Sequence, residues 1–334
     1  MKKTIIIFIL PILIYSCNGS KKWDEFAAEG LPDFYEEYYE LCFTDSLHGY
    51  LGGHFSDIDI NDQTVLYETN DQGKSWTKLP LNYDGSVYRI FAFKDTLTVL
   101  LQGVFMDSVY VIKSIDHGQS WKKIFSTNRD NWIDDIYFNN SNHGSIVTGD
   151  KYLLELQNNA IDTILKLPNT NNKFTISENR VYSLIYSNDI AGNLGVEITT
   201  IGTGESKKLY FDKPYWISSS IVSGNTLLLA ADYENSGKII RVTDSTITGI
   251  DFGNYSNYLP DQVFAYGNTI AAVVSRREDA SLIGVTHHFL ISKDNGTTWT
   301  LEEMPNSMRV NPATMFKDQF FMSYSGVRKI QVRK

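Results

Sequence analysis

Three segments of this 334-residue chain are spelled alike. They are Thr69-Asn70-Asp71-Gln72-Gly73-Lys74-Ser75-Trp76, Ser114-Ile115-Asp116-His117-Gly118-Gln119-Ser120-Trp121 and Ser292-Lys293-Asp294-Asn295-Gly296-Thr297-Thr298-Trp299. Each reads Ser/Thr-x-Asp-x-Gly-x-Ser/Thr-Trp. The spelling has a physical logic. A carboxylate can accept backbone N–H groups inside a tight turn, and glycine supplies a left-handed backbone. The hydroxyl adds a local hydrogen bond. The tryptophan opens the next strand, where its ring can wedge between sheets. These are folding roles, so Asp71, Gly73, Trp76, Asp116, Gly118, Trp121, Asp294, Gly296 and Trp299 are expected to be structural.

The spacing gives an architecture. Trp76 and Trp121 lie 45 residues apart, and Trp121 and Trp299 lie 178 apart, close to four such periods. Three degenerate copies are expected between them. Ile164-Leu165-Lys166-Leu167-Pro168 echoes Trp76-Thr77-Lys78-Leu79-Pro80, while Gly202-Thr203-Gly204-Glu205-Ser206 and Thr243-Asp244-Ser245-Thr246 supply turns for the next two. A unit of roughly 42 residues repeated in this way predicts the four-stranded antiparallel blades of a β-propeller. After Pro305 the chain offers three more strands, and Trp23-Asp24-Glu25-Phe26 is expected to add the missing outer one, removing two exposed edges. The expectation is an all-β propeller over residues 39–334 with seven blades, six or eight being the alternatives. Composition agrees: 20 Tyr, 18 Phe and 6 Trp favour sheet over helix.

The repeated segment resembles the Asp-box, or bacterial neuraminidase repeat, of β-propellers. The strand–turn rhythm and the size are similar to those of photosystem II assembly factor-like propellers, and the box is shared with the sialidase-like superfamily. The resemblance implies that the boxes lie on the face away from any active site, and it marks architecture, not activity. A sialidase is not expected. That family carries an Arg-Ile-Pro motif before its first box and clamps a carboxylate with three Arg. Here the first Arg is Arg89, behind the first box, in Tyr88-Arg89-Ile90-Phe91, and Lys cannot imitate a bidentate clamp.

The N-terminus reads as an address. Lys2 and Lys3 precede an apolar run from Ile5 to Tyr15, shorter than the about 20 residues a spanning helix needs and patterned like a secretory signal. Ser16-Cys17 closes the run and resembles the lipobox of bacterial lipoproteins, with the usual Leu displaced to Leu13. Residues 1–16 are expected to be a signal peptide, Cys17 to be lipidated, and residues 17–38 to form a tether with the closing strand. The chain is then exported across the inner membrane and held at the outer membrane. The other cysteine, Cys42, sits in Leu41-Cys42-Phe43 and reads as a buried thiol.

Catalytic signatures are absent from the sequence. Asp134 and Asp135 are adjacent, so a regular strand points them to opposite faces, and they cannot be the facing carboxylates of a glycosidase. Asp57, Asp59 and Asn61 are spaced like the start of a calcium loop, but Asp62 stands where its sharp turn needs Gly, which leaves a weak calcium candidate. There is no phosphate loop, nucleophile elbow or His-Glu-x-x-His motif, and no cofactor is expected. A net charge of -9 without a Lys/Arg cluster speaks against nucleic acid.

If the boxes mark one face, the loops joining successive blades lie on the other. Tyr83, Arg129, Trp132, Tyr215, Trp216, Tyr255, Tyr258 and Arg309 stand in those loops. Aromatic faces beside hydrogen-bonding groups suit sugars or extended peptides. The expected protein is a monomeric envelope lipoprotein that binds or assembles a protein or glycan partner without catalysis. The alternative is a glycoside hydrolase or glycan-binding accessory of a polysaccharide-use system.

Overall fold

The computed structural model describes residues 23–32, 36–57, 60–102, 108–167, 173–187, 192–276, 287–304, 310–324 and 327–333. Apart from two 3-10 turns, Arg129–Asn131 and Gly253–Tyr255, the regular structure among these residues is β-strand. None of it is a helix long and apolar enough to cross a membrane.

The first strand, β1 (Trp23–Ala27), stands apart from its neighbours in sequence. The first blade is β2 (Glu36–Phe43), β3 (Gly49–Asp57), β4 (Ile60–Thr69) and β5 (Thr77–Lys78). The second is β6 (Ser86–Phe93), β7 (Thr96–Gln102), β8 (Ser108–Ser114) and β9 (Lys122–Asn128). The third is β10 (Ile133–Asn140), β11 (His143–Thr148), β12 (Tyr152–Gln157) and β13 (Ala160–Lys166). A seven-stranded sheet follows: β14 (Phe174–Ile176), β15 (Arg180–Ser187), β16 (Gly192–Thr200), β17 (Ser206–Ser223), β18 (Thr226–Tyr233), β19 (Ser236–Val242) and β20 (Ile247–Asp251). It comprises two blades joined by one long strand. The start of β17 pairs with β16 as the outer strand of blade four, and Trp216–Ser223 pairs with β18 as the inner strand of blade five. The sixth blade is β21 (Tyr258–Tyr266), β22 (Thr269–Arg276), β23 (His287–Ser292) and β24 (Thr300–Glu303). The last is β25 (Val310–Phe316), β26 (Gln319–Tyr324), β27 (Val327–Arg333) and, on its outer edge, β1.

The core confirms the count of seven. Among the described residues it divides into seven apolar clusters, and each lies between two consecutive blades. Strand β22 shows how one sequence serves two of them. Ala271 and Val273 face the last blade, while Ile270, Ala272 and Val274 face the fifth. Side chains alternate across a strand, so a strand buried on both faces must be apolar throughout. Closure is made by β1, whose Trp23 packs edge-on against Phe289 and Phe320 at 5.3 and 6.0 Å.

The three repeated turns all connect the third strand of a blade to its outer strand, and they share one hydrogen-bond scheme. In the second blade the Ser114 hydroxyl donates to Asp116 Oδ1 at 2.7 Å and accepts from Gly118 N at 2.8 Å. Asp116 accepts from the N–H and hydroxyl of Ser120 at 2.9 and 2.6 Å. Ser292, Asp294, Gly296 and Thr298 repeat this scheme, as do Thr69, Asp71, Gly73 and Ser75. The glycines have φ of +87°, +82° and +92°, where a Cβ is strained. Each turn also leans on the hairpin between the first two strands of its blade: Gln72 N donates to Leu47 O, His117 N to Asp95 O and Asn295 N to Asn268 O. The degenerate copies keep this contact in blades three and four, through Asn158 N to Asn142 O and Ile201 N to Asn179 O. In the last blade the place of such a turn is taken by the end of β27 and the start of β1, with Trp23 opposite Arg333.

Candidate functional site

Strand directions define two faces. The repeated turns and the hairpins they touch lie on one, called here the turn face. The connections between blades enter the inner strands from the other. Near that second end the inner strands share an irregularity. Register slips by one residue at Tyr39 in β2, Tyr88 in β6, Asp134 in β10, Ser218 in β17 and Asp261 in β21. Such bulges re-aim side chains and often sit at functional rims. The first is built closely enough that a Cβ on Gly53 would stand 1.9 Å from Glu37 O.

The residues beside these bulges form a charged arc in the channel. Arg89 Nη1 lies 3.4 Å from Glu40 Oε2 and donates to Tyr88 O at 3.1 Å. Asp135 accepts from Ile176 N in the next blade at 2.9 Å. Lys173 Nζ is 3.5 Å from Ser218 O, one blade further on. The Ser218 hydroxyl donates to Pro260 O at 2.5 Å, and Ser219 Oγ accepts from Val263 N at 2.9 Å. Four blade interfaces, one–two, three–four, four–five and five–six, are thus tied by polar contacts around the channel wall.

The channel walls shape the ionisation of this arc. Enclosure pushes the Glu40 carboxyl up to about 7 against the opposing pull of Arg89. It raises Asp135 as well, again opposed by Arg89. Enclosure lowers Lys173, with Arg89 acting in the same direction. For Arg89 enclosure works downward, but Glu40 and Asp135 outweigh it and hold the guanidinium charged. The Arg89 side chain keeps 49% of its surface open, so the arc is a wet, walled site rather than a dry core.

Beside it stands an aromatic stack. Tyr39 lies between Tyr88 and His54, with ring centroids 5.1 and 5.5 Å away and planes within 4° and 12° of parallel. Asp134 turns away from the arc and meets Lys151 at 2.6 Å. The two adjacent aspartates therefore serve different partners.

The residues expected at this end are dispersed. Trp132 and Trp216 are exposed, at 56% and 59%. Tyr83 is half-buried between blades one and two, 6.1 Å from Tyr110, and its carbonyl accepts from the Thr64 hydroxyl. Tyr255 and Tyr258 pack edge-on against each other at 6.3 Å beside the blade five–six core, and Tyr258 also meets His288 and Arg276. Tyr215 is a correction. It is 3% exposed within the blade four–five cluster and donates to Asp212 at 3.0 Å, so its ring offers no face to a ligand. The loop expected at residues 213–216 is continuous strand. Arg309, Cys17 and Asp59 lie outside the described residues, as do the side chains of Arg129, Asp57 and Asn61. No cluster of three His, Cys, Asp or Glu fit to hold a metal occurs among the described residues. Cys42 is a free, half-buried thiol that burial pushes up to about 12, unfit as a nucleophile.

This architecture defines the chain as a β-propeller, and solved structures share the shape. YCF48 bound to D1 peptide superposes with a TM-score of 0.67 at 14% identity, covering 94% of this chain and 96% of that one. YCF48 from Cyanidioschyzon merolae gives 0.66 at 13%, covering 93% and 98%. A catalytically inactive virginiamycin B lyase from Staphylococcus aureus with quinupristin gives 0.64 at 13%, covering 93% and 98%. At such identities the likeness is one of fold. No protein-family model matches the sequence, and comparison with curated proteins found no match.

Proposed function

We propose that this chain is a non-catalytic recognition module of the bacterial cell envelope, lipid-anchored at Cys17, that holds an extended protein segment at the channel end opposite the repeated turns. The reading rests on one juxtaposition. Four successive blades bring Glu40, Arg89, Asp135 and Lys173 together beside the Tyr39–Tyr88 stack. Alternating charge next to flat aromatic surface fits a peptide, whose backbone carries donors and acceptors and whose side chains carry either sign. A propeller of similar shape, YCF48, is known with a D1 peptide bound. We read the three repeated turns as Asp-boxes, which supports a scaffold whose recognition face is the other one.

A second reading, glycan recognition, draws on the open rings of Trp132 and Trp216, since exposed indole faces stack on sugars. The test is a binding screen of the chain from residue 18 onward against a peptide array and an oligosaccharide panel, with product analysis. Peptide binding that Arg89→Ala abolishes supports the main reading. Glycan binding lost in Trp132→Ala or Trp216→Ala supports the second. Released sugar would make the protein a glycosidase, and silence in every channel would overturn recognition at this end.

A further inference from the structure

The geometry points to an orientation on the membrane: we propose that the turn face is a lipid-contacting surface and that the charged channel end looks away from the bilayer. The inference rests on the lipid-anchor reading of Cys17 and deepens it.

The argument begins with the strand that closes the ring. In the other blades the outer strand starts from a turn on the turn face. In the last blade that place is taken by the end of β27 and the start of β1, where Trp23 stands opposite Arg333. β1 therefore begins at the rim of the turn face. Only five residues separate Trp23 from Cys17. Six residue steps span at most about 22 Å, at about 3.3–3.6 Å each. A lipid on Cys17 holds that rim within this distance of the bilayer.

The surface of the rim agrees. Exposed apolar side chains stand at turn tips on both sides of the closing blade: Tyr266 on blade six, Leu47 on blade one and Ile115 on blade two, the last at 73% exposure. Exposed Lys94 and Lys317 lie at the same level, each followed by an exposed aspartate, Asp95 and Asp318, of which Asp95 is 3.3 Å from His117. The carboxylates of Asp45, Asp116 and Asp294 are engaged in hydrogen bonds within their turns. Across the ring, the corresponding turns of blades four and five carry Gly202-Thr203 and Asp244-Ser245. Apolar tips with lysines beside them match the headgroup–acyl boundary, where one end of a group is apolar and the other wet.

The experiment uses the full-length lipoprotein in liposomes containing nitroxide-labelled lipid. Single fluorophores are placed through Leu47→Cys, Ile115→Cys and, on the opposite face, Trp132→Cys. Cys42 is replaced by Ala in all three, so that only the introduced thiol is labelled. Quenching several-fold stronger at positions 47 and 115 than at 132 is expected; equal or reversed quenching overturns the orientation. The mass of the N-terminal peptide reads lipidation of Cys17 separately. If that lipid is absent, the anchor reading fails, and the orientation is measured with a histidine tag replacing residues 1–17 on chelating liposomes. There the same quenching order would support the surface and its loss would overturn it.

Discussion

Arg333 grips Glu302 with two hydrogen bonds, Nε to Oε2 and Nη2 to Oε1, both 2.8 Å, across the seam between the sixth and last blades. The pair is nearly sealed, at 7% and 4% side-chain exposure, and the guanidinium lies 5.7 Å from the Phe289 ring centroid. Removing one partner leaves a buried, uncompensated charge. Glu302→Ala is expected to cost about 3–5 kcal/mol, read as a lower urea midpoint. An unchanged midpoint would show that the seam relaxes and admits water.

The repeated turns predict acid sensitivity. The hydroxyls of Ser120 and Ser114 and the Ser120 N–H hold Asp116 down to about 2. Thr298, through its hydroxyl and N–H, and then Ser292 do the same for Asp294. Their folded values lie below the ordinary 3.8. Their contribution is therefore complete above about pH 4 and is lost as pH falls toward about 2. Asp116→Asn should flatten that part of a pH–stability curve followed by tryptophan fluorescence.

Glu40 predicts the opposite slope over a different window. Its folded value of about 7 exceeds the ordinary 4.5, so the folded state holds the proton more tightly. Stability from this site is greatest below about pH 4.5 and declines as pH rises through about 7. Glu40→Gln should remove the decline. A thermal midpoint with identical pH dependence in both proteins would count against it.

Two glycines separate backbone strain from crowding. Gly202 has φ of +93° and nothing within 4 Å of its would-be Cβ, whereas at Gly296, φ +92°, that atom would stand 2.3 Å from Ile250 Cγ2. Gly202→Ala is expected to cost about 1–2 kcal/mol from conformation alone. Gly296→Ala adds about 1–3 kcal/mol of overpacking. Equal losses in chemical denaturation would mean that the Ile250 side chain simply moves.

The scaffold was legible because its turns need particular atoms. A chain reversal that uses two left-handed residues and a carboxylate acceptor leaves Asp and Gly at fixed positions, and the tryptophan after them marks the seam. Trp121 and Trp299 donate to Pro80 O and Asp251 O near the preceding blade's outer strand, while Trp76 turns back to its own Gly73 O. The charged arc was not legible. Glu40, Arg89, Asp135 and Lys173 lie about one repeat apart in sequence and share no motif. Bulges bring them together, and a bulge has no spelling of its own at Tyr39 or Tyr88. Tyr215 was misread because Lys213-Pro214 looks like a loop. In β17 that stretch lies where the strand leaves β16 and joins β18, so Pro214 is not required to donate to a ladder.

Closure by β1 has a temporal side. Gln331 Nε2 donates to Glu25 Oε2 at 2.9 Å, a contact between residues 306 positions apart. Synthesis delivers Glu25 306 residues before Gln331, so the ring cannot lock until β27 of the last blade has been made. Contacts of such separation form late and slowly. Until then β1 has no partner strand, and the arrival of β27 is the event that closes the ring.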